Sequence, residues 1–147
     1  SESWLRTLVD PDNRRPLDPA GLRSTVDTAL ADGPVWGLPA PKAAVIARLL
    51  ELRRRNLASF DVEPAYRPLE SAGVHHDHLI AYERGPNVAV IASRFPAARP
   101  DGWAGTTVDV GPGAWRDILS DRQVDGGSLH LADLLGDRPA AVLERIG

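Results

Sequence analysis

The sequence predicts an α+β fold: one or two helices, then an antiparallel β-sandwich. Three observations carry this. Apolar residues recur at helical spacing only before about residue 60. After it come short runs rich in β-branched and aromatic residues. Turn residues separate those runs at close intervals, with no helical stretch between them.

The helices come first. Asp18 is placed to cap a helix that Pro19 begins, and Leu22, Val26 and Leu30 recur every four residues before Gly33 ends the run. This predicts a short helix over about 20–31. Residues 33–41, GPVWGLPAP, hold three prolines and two glycines and read as a linker. The strongest element follows. Ile46, Leu49, Leu50 and Leu57 share one face, Val45 and Leu52 widen it, and Arg53, Arg54 and Arg55 sit where a helix C-terminus favours cations. This predicts a helix over 42–57.

The expected strands are 65–70, 78–84, 87–94, 106–110, 114–119, 128–135 and 140–146. The tight Gly85-Pro86 turn makes 78–84 and 87–94 a hairpin. Gly111-Pro112-Gly113 and Gly126-Gly127 read as further separators. Leu79, Ala81, Val88, Val90 and Ala92 are expected to line one sheet core.

Composition bounds the function. The 147 residues are 43% hydrophobic and 25% charged, an ordinary globular balance. A chain of this size buries about 68–70% of its unfolded surface. The absence of cysteine excludes disulfides, cysteine zinc sites, iron–sulfur clusters and a thiol nucleophile. A net charge of −3 carries no nucleic-acid footprint. No apolar run approaches the roughly 20 residues of a membrane span. Neither nucleic acid nor membrane is therefore an expected partner, and a cytoplasmic location is expected. Arginine outnumbers lysine sixteen to one, Lys42 being the single lysine. The chain has no methionine, which fits a processed product or a piece of something longer.

The densest polar segment is Asp10-Pro11-Asp12-Asn13-Arg14-Arg15-Pro16. Guanidinium forks and carboxylates suit sugar hydroxyls, and prolines reduce the entropy of ordering them. The plainer reading is a surface loop with internal ion pairs. His75, His76, Asp77 and His78 cluster, but alternation puts only His76 and His78 on one face. A solvated loop is the better reading, and no metal or cofactor is expected. Trp115 reads as core, whereas Trp4 and Trp36 in loops are candidates for an exposed stacking platform. No GxSxG, P-loop or GxGxxG is present, and no acid/base carboxylate pair stands out.

LVDPDNRRPLD followed by PKAAVIARLLELRRRNLASF resembles the maltooligosyltrehalose synthases of the α-amylase superfamily. Glu2 and Trp4 look like the tail of that family's GTE-like motif. Asp10 to Asp18 match its loop, with Leu17 where a valine is common. Lys42 through Arg55 match its arginine-tailed helix, and the later segments HLIAYERG, VAVIASRFP and TTVDVGPGAWRDILSD match its C-terminal sheet domain.

The resemblance implies an isomerase of trehalose synthesis. Such an enzyme converts the reducing-end α-1,4 bond of a maltooligosaccharide into an α,α-1,1 bond by intramolecular glucosyl transfer. It implies that residues 1–60 are the tail of a catalytic (β/α)8 barrel, ending in its last helix, and that 61–147 are a β-sandwich domain. It implies substrate contacts at Asp10, Asp12, Asn13, Arg14, Arg15 and Lys42. The catalytic carboxylates that glycosyl transfer needs lie on earlier strands of that family. The chain alone is therefore expected to be inactive. Its expected partners are the barrel portion of the same protein, docked on Ile46, Leu49 and Leu50, and the maltooligosaccharide. The alternatives are a stand-alone carbohydrate-binding or accessory domain, and part of another superfamily hydrolase.

Overall fold

The computed structural model describes residues 18–61, 66–98 and 102–146. The segment Asp10–Arg15, with Trp4, lies outside them. Helix α1 (Pro19–Ala29) starts as its sequence requires. The Asp18 carboxylate accepts the amides of Ala20 and Gly21 at 3.1 and 3.0 Å, and Pro19 fills the first turn, where no amide partner is needed. Helix α2 (Pro41–Arg55) also opens on a proline and carries its three arginines in the last turn. A single turn, α3 (Leu57–Phe60), follows Asn56.

Among the described residues there are seven strands, all antiparallel: β1 (Tyr66–Pro68), β2 (Ser71–Ala72), β3 (Leu79–Arg84), β4 (Val88–Ser93), β5 (Thr107–Asp117), β6 (Gln123–His130) and β7 (Ala140–Ile146). Hydrogen bonds join them in the order β1-β3-β4-β7-β5-β2, with β6 on the remaining edge of β5. The two ends of that order are one stretch of chain. Tyr66–Pro68 pairs with β3, and Ser71–Ala72 pairs with β5. Between them the Leu69 amide donates to Ala81 O at 3.1 Å, and Glu70 O accepts the Asp109 amide at 2.9 Å. The facing layers of the expected sandwich are thus walls of one ladder that closes on itself, which leaves few free edges.

Two cores result. Inside the closed sheet lie Leu69, Ala89, Ile91, Val108, Val110, Trp115, Ala141 and Leu143, capped by Trp103 and by Leu131, Leu134 and Leu135. Outside it, Val88, Val90, Ala140 and Val142 meet Ala44, Val45, Leu49 and Leu52 of α2. Leu52 is fully buried there, and burying such a side chain contributes about 1.5–3 kcal/mol.

Several expectations are corrected. Leu79 and Ala81 face the inner core, but Val88 and Val90 face the helices; Ala89 and Ile91 are their inward counterparts. The expected strands 106–110 and 114–119 are one strand. Gly111-Pro112-Gly113 is a bulge inside β5, where the pairing with β6 shifts between Val110 and Ala114. Gly126-Gly127 lies within β6, paired with β5, and a Cβ at Gly126 would fall 2.1 Å from Gly111 O. Leu131–Leu134 turns into a short helix, α4. Trp115 is core as expected, but Trp36 is half-buried against the helical core and offers no open platform. Gly85 holds the β3–β4 turn at φ +59, and a Cβ there would lie 2.8 Å from Ser59 Cα.

One buried carboxylate ties the layers together. Asp117, 1% exposed, accepts the amides of Leu119 and Val142, both at 3.1 Å, and the Ser120 hydroxyl at 2.5 Å. Leu119 O in turn accepts the Val35 amide at 2.8 Å, anchoring the linker. Asp117→Ala leaves those buried donors without an acceptor, at about 1–3 kcal/mol each. The expected loss is about 3 kcal/mol or more, read as a lower urea midpoint. Asp117→Asn retains one acceptor oxygen and should lose less; equal midpoints for wild type and Asp117→Ala would refute the assignment.

Candidate functional site

The residues singled out for substrate contact divide between the described and undescribed parts of the chain. Asp10, Asp12, Asn13, Arg14 and Arg15 lie outside the described residues. Their segment leads into Asp18, whose capping bonds fix where α1 begins. Lys42 is described, exposed on the first turn of α2 directly after Pro41. That position does nothing for the helix. The N-terminal end of a helix repels a cation, and the first turn of α2 holds no acid to offset it. An exposed ammonium there offers three donors to a hydroxyl or an anion.

Three buried or half-buried carboxylates with visible partners serve structure. Glu83, 8% exposed, accepts the Gly111 amide at 3.0 Å and Arg67 Nη2 at 2.5 Å. Asp117 is used as described above. Glu144 accepts Arg55 Nε and Nη2, both at 2.7 Å, and Asn56 Nδ2 at 2.5 Å. Each of these three bridges separate elements of the fold. Among the described residues no group of His, Asp and Glu is arranged to hold a metal ion. No helix among them is long and apolar enough to cross a membrane.

Glu144 belongs to the clamp between α2 and β7. The Arg55 guanidinium, aided by the Asn56 amide, holds its carboxyl below the usual carboxylate range, and the same bond raises Arg55. Of the three arginines that end α2, Arg55 is the one tied to the sheet.

Sequence reasoning missed a groove between α2 and the outer side of β3. Ile46, Leu49, Leu50 and Arg53 form one wall; Phe60 and Arg84 form the other. The Arg84 guanidinium lies 5.1 Å from the centroid of Phe60, and its Nε donates to Ser59 O at 3.1 Å. A second groove runs between α1 and α2, with Leu30 and Leu50 on its sides. Only pairing β3 next to β4, and β4 under α2, brings residues 46 and 84 together; no local pattern announces it.

A closed antiparallel sheet with a two-helix layer on its β4–β7 face is also found within part of several solved structures. A maltooligosyltrehalose synthase from Arthrobacter ramosus superposes with a TM-score of 0.79 at 36% identity, over 97% of this chain and 19% of that one. A glycosyltrehalose synthase at 22% identity shares the fold, with a TM-score of 0.62. In sequence, a maltooligosyl trehalose synthase of Mycobacterium tuberculosis is 36% identical over 146 residues, 99% of this chain. The chain spans about 18% of the length of that relative. No family model matches. The chain is thus similar, over nearly its whole length, to a C-terminal segment of maltooligosyltrehalose synthase.

The clamp has a pH signature. A carboxyl depressed in the folded state adds stability above its unfolded pKa, near 4.3, and loses it as pH falls through the folded value. Glu144→Gln should cost about 1 kcal/mol at pH 7, since the pair is partly solvent-screened. The deficit should shrink below about pH 4. Chemical unfolding of both proteins across pH 3–8 checks this; a deficit that grows in acid would contradict it.

Proposed function

We propose that this chain is the non-catalytic C-terminal segment of an enzyme that isomerises maltooligosaccharides, turning the reducing-end α-1,4 bond into an α,α-1,1 bond. The observation that carries the reading is the 36% identity sustained over 99% of the chain against 18% of a much longer synthase. Two features support it. Glu83, Asp117 and Glu144 hold the fold together, and in this reading the acid/base pair for glycosyl transfer belongs to the rest of the enzyme. Lys42 stands exposed on the first turn of α2, where its ammonium can donate to a ligand hydroxyl or anion.

In this reading Asp10, Asp12, Asn13, Arg14 and Arg15, with Lys42, contact the sugar in the assembled enzyme. The carboxylates accept hydroxyl protons, and the guanidinium and ammonium groups donate. Residues 1–60 complete the catalytic barrel, and 61–147 form the sheet domain that braces it. The reaction is cytoplasmic and needs no cofactor.

The 147-residue chain should show no conversion of maltopentaose to a trehalose-ended product, whereas the full-length enzyme should form it. In that enzyme Asp12→Asn, which keeps shape and removes charge, should lower kcat/KM about tenfold or more with the melting temperature unchanged, equivalent to about 1.4 kcal/mol of transition-state stabilisation. Product formation by the 147-residue chain, or unaltered kinetics in the variant, would overturn the corresponding part of the proposal.

A further inference from the structure

Phe95, at the exit of β4, has φ +51 and is 59% exposed. Left-handed backbone strains a bulky aromatic residue, and burial offsets little of that strain here. Glycine or asparagine suits such a turn better when only the turn matters. The ring is nevertheless held in place. The Arg94 guanidinium lies over it, 4.4 Å from the centroid, and the His78 ring meets it edge-on at 6.2 Å. His78 is itself braced: the His75 ring centre lies 5.4 Å away, and the Asp77 carboxylate stands 3.5 Å from Nε2. The backbone beneath is fixed as well. The Arg94 amide donates to His78 O at 2.9 Å, and the His75 amide donates to Thr106 Oγ1 at 3.1 Å.

Two polar groups stand around the ring. The Arg94 side chain is exposed and has no hydrogen-bond or ion-pair partner among the described residues, so its N–H donors are free. The Asp77 side chain, 68% exposed, offers carboxylate oxygens on the His78 side. One cation and one anion select no net charge. An apolar protein segment laid here would leave both groups desolvated and unpaired. A neutral ligand with an apolar face and a rim of hydroxyls fits instead. A pyranose has that form. Its C–H groups meet the negative face of an aromatic ring, and its hydroxyls both accept from a guanidinium and donate to a carboxylate.

We propose that Phe95, Arg94 and Asp77 form a sugar-binding site, outside the Asp10–Arg15 segment and Lys42, that holds a glucosyl residue of a maltooligosaccharide. The pyranose follows from the chemistry of the cluster, and the choice of maltooligosaccharide rests on the reading above. A second hold on a long glucan raises its effective concentration at the first.

The test titrates the 147-residue chain with maltotriose at millimolar concentrations. The amide resonances of His78, Arg94 and Phe95 should shift. Phe95→Asn removes the ring and tolerates left-handed backbone. It should weaken binding about tenfold or more while the melting midpoint holds or rises, since strain kept for a ligand is released. Arg94→Met keeps the stem, removes the donors and should weaken binding several-fold. If Phe95 serves folding alone, Phe95→Asn lowers the midpoint and leaves binding unchanged. That result, no shift at these three residues in the wild-type chain, or unchanged binding in Arg94→Met would overturn the proposal. Where Phe95→Asn lowers both midpoint and affinity, Arg94→Met decides. Failure of the proposed function is read separately. Shifts at this site without trehalose-ended product from the full-length enzyme sink the activity alone, and product without the shifts sinks this site alone.

Discussion

Strands β4 and β7 are apolar on both faces, and both faces have to be covered. Val88, Val90 and Val142 point one way; Ala89, Ile91, Ala141 and Leu143 point the other. Their ladder runs from Val88 opposite Glu144 to Ala92 opposite Ala140. One face is satisfied by closing the sheet around it through residues 66–72. The other is satisfied by laying α2 across it, with Leu52 and Ala44 at the contact. The two cores share this one pair of strands. A change there is felt by the helices and by the closed sheet together, because well-packed interiors do not absorb even a methylene freely.

Polar groups fix the registration of the layers that hydrophobic contact alone leaves free to slide. Asp117 holds the end of β5 to β7 and, through Leu119, to the linker at Val35. Glu144, on the helix-facing side of β7, holds Arg55 and Asn56 at the end of α2. At one end of the closed sheet Arg145 lies 4.2 Å over the Trp115 ring, donates to Pro86 O at 3.0 Å and donates also to Pro112 O. Glu83 there joins Arg67 to the β5 bulge. These carboxylates and guanidiniums hold separate elements of the fold in place.

That division of labour agrees with the length of the relatives. The described part of this chain supplies a braced scaffold, one exposed lysine at a helix start, and a helical face built of Leu30, Ile46 and Leu50 that its own core does not use.

Read alone, the amino-acid sequence determined the elements whose causes are local. Asp18 and Pro19 begin α1, Pro41 and the arginine run bound α2, and Gly85 with its positive φ turns β3 into β4. It also carried the family resemblance in DPDNRRP and in the helix that follows. It did not determine which face of β4 is inside, because a strand buried on both sides shows no alternation to read. It did not reveal that Gly111-Pro112-Gly113 is a bulge, since a turn and a bulge use the same residues and differ only in whether a partner strand continues past them. The direction in which Leu22, Val26 and Leu30 look, the occupation of Glu83 and Glu144 by Arg67 and Arg55, and the groove between Ile46 and Arg84 were decided by tertiary structure alone. Each depends on residues 16 to 89 positions apart in the chain, and such pairings follow from how the sheet closes, which no local pattern encodes.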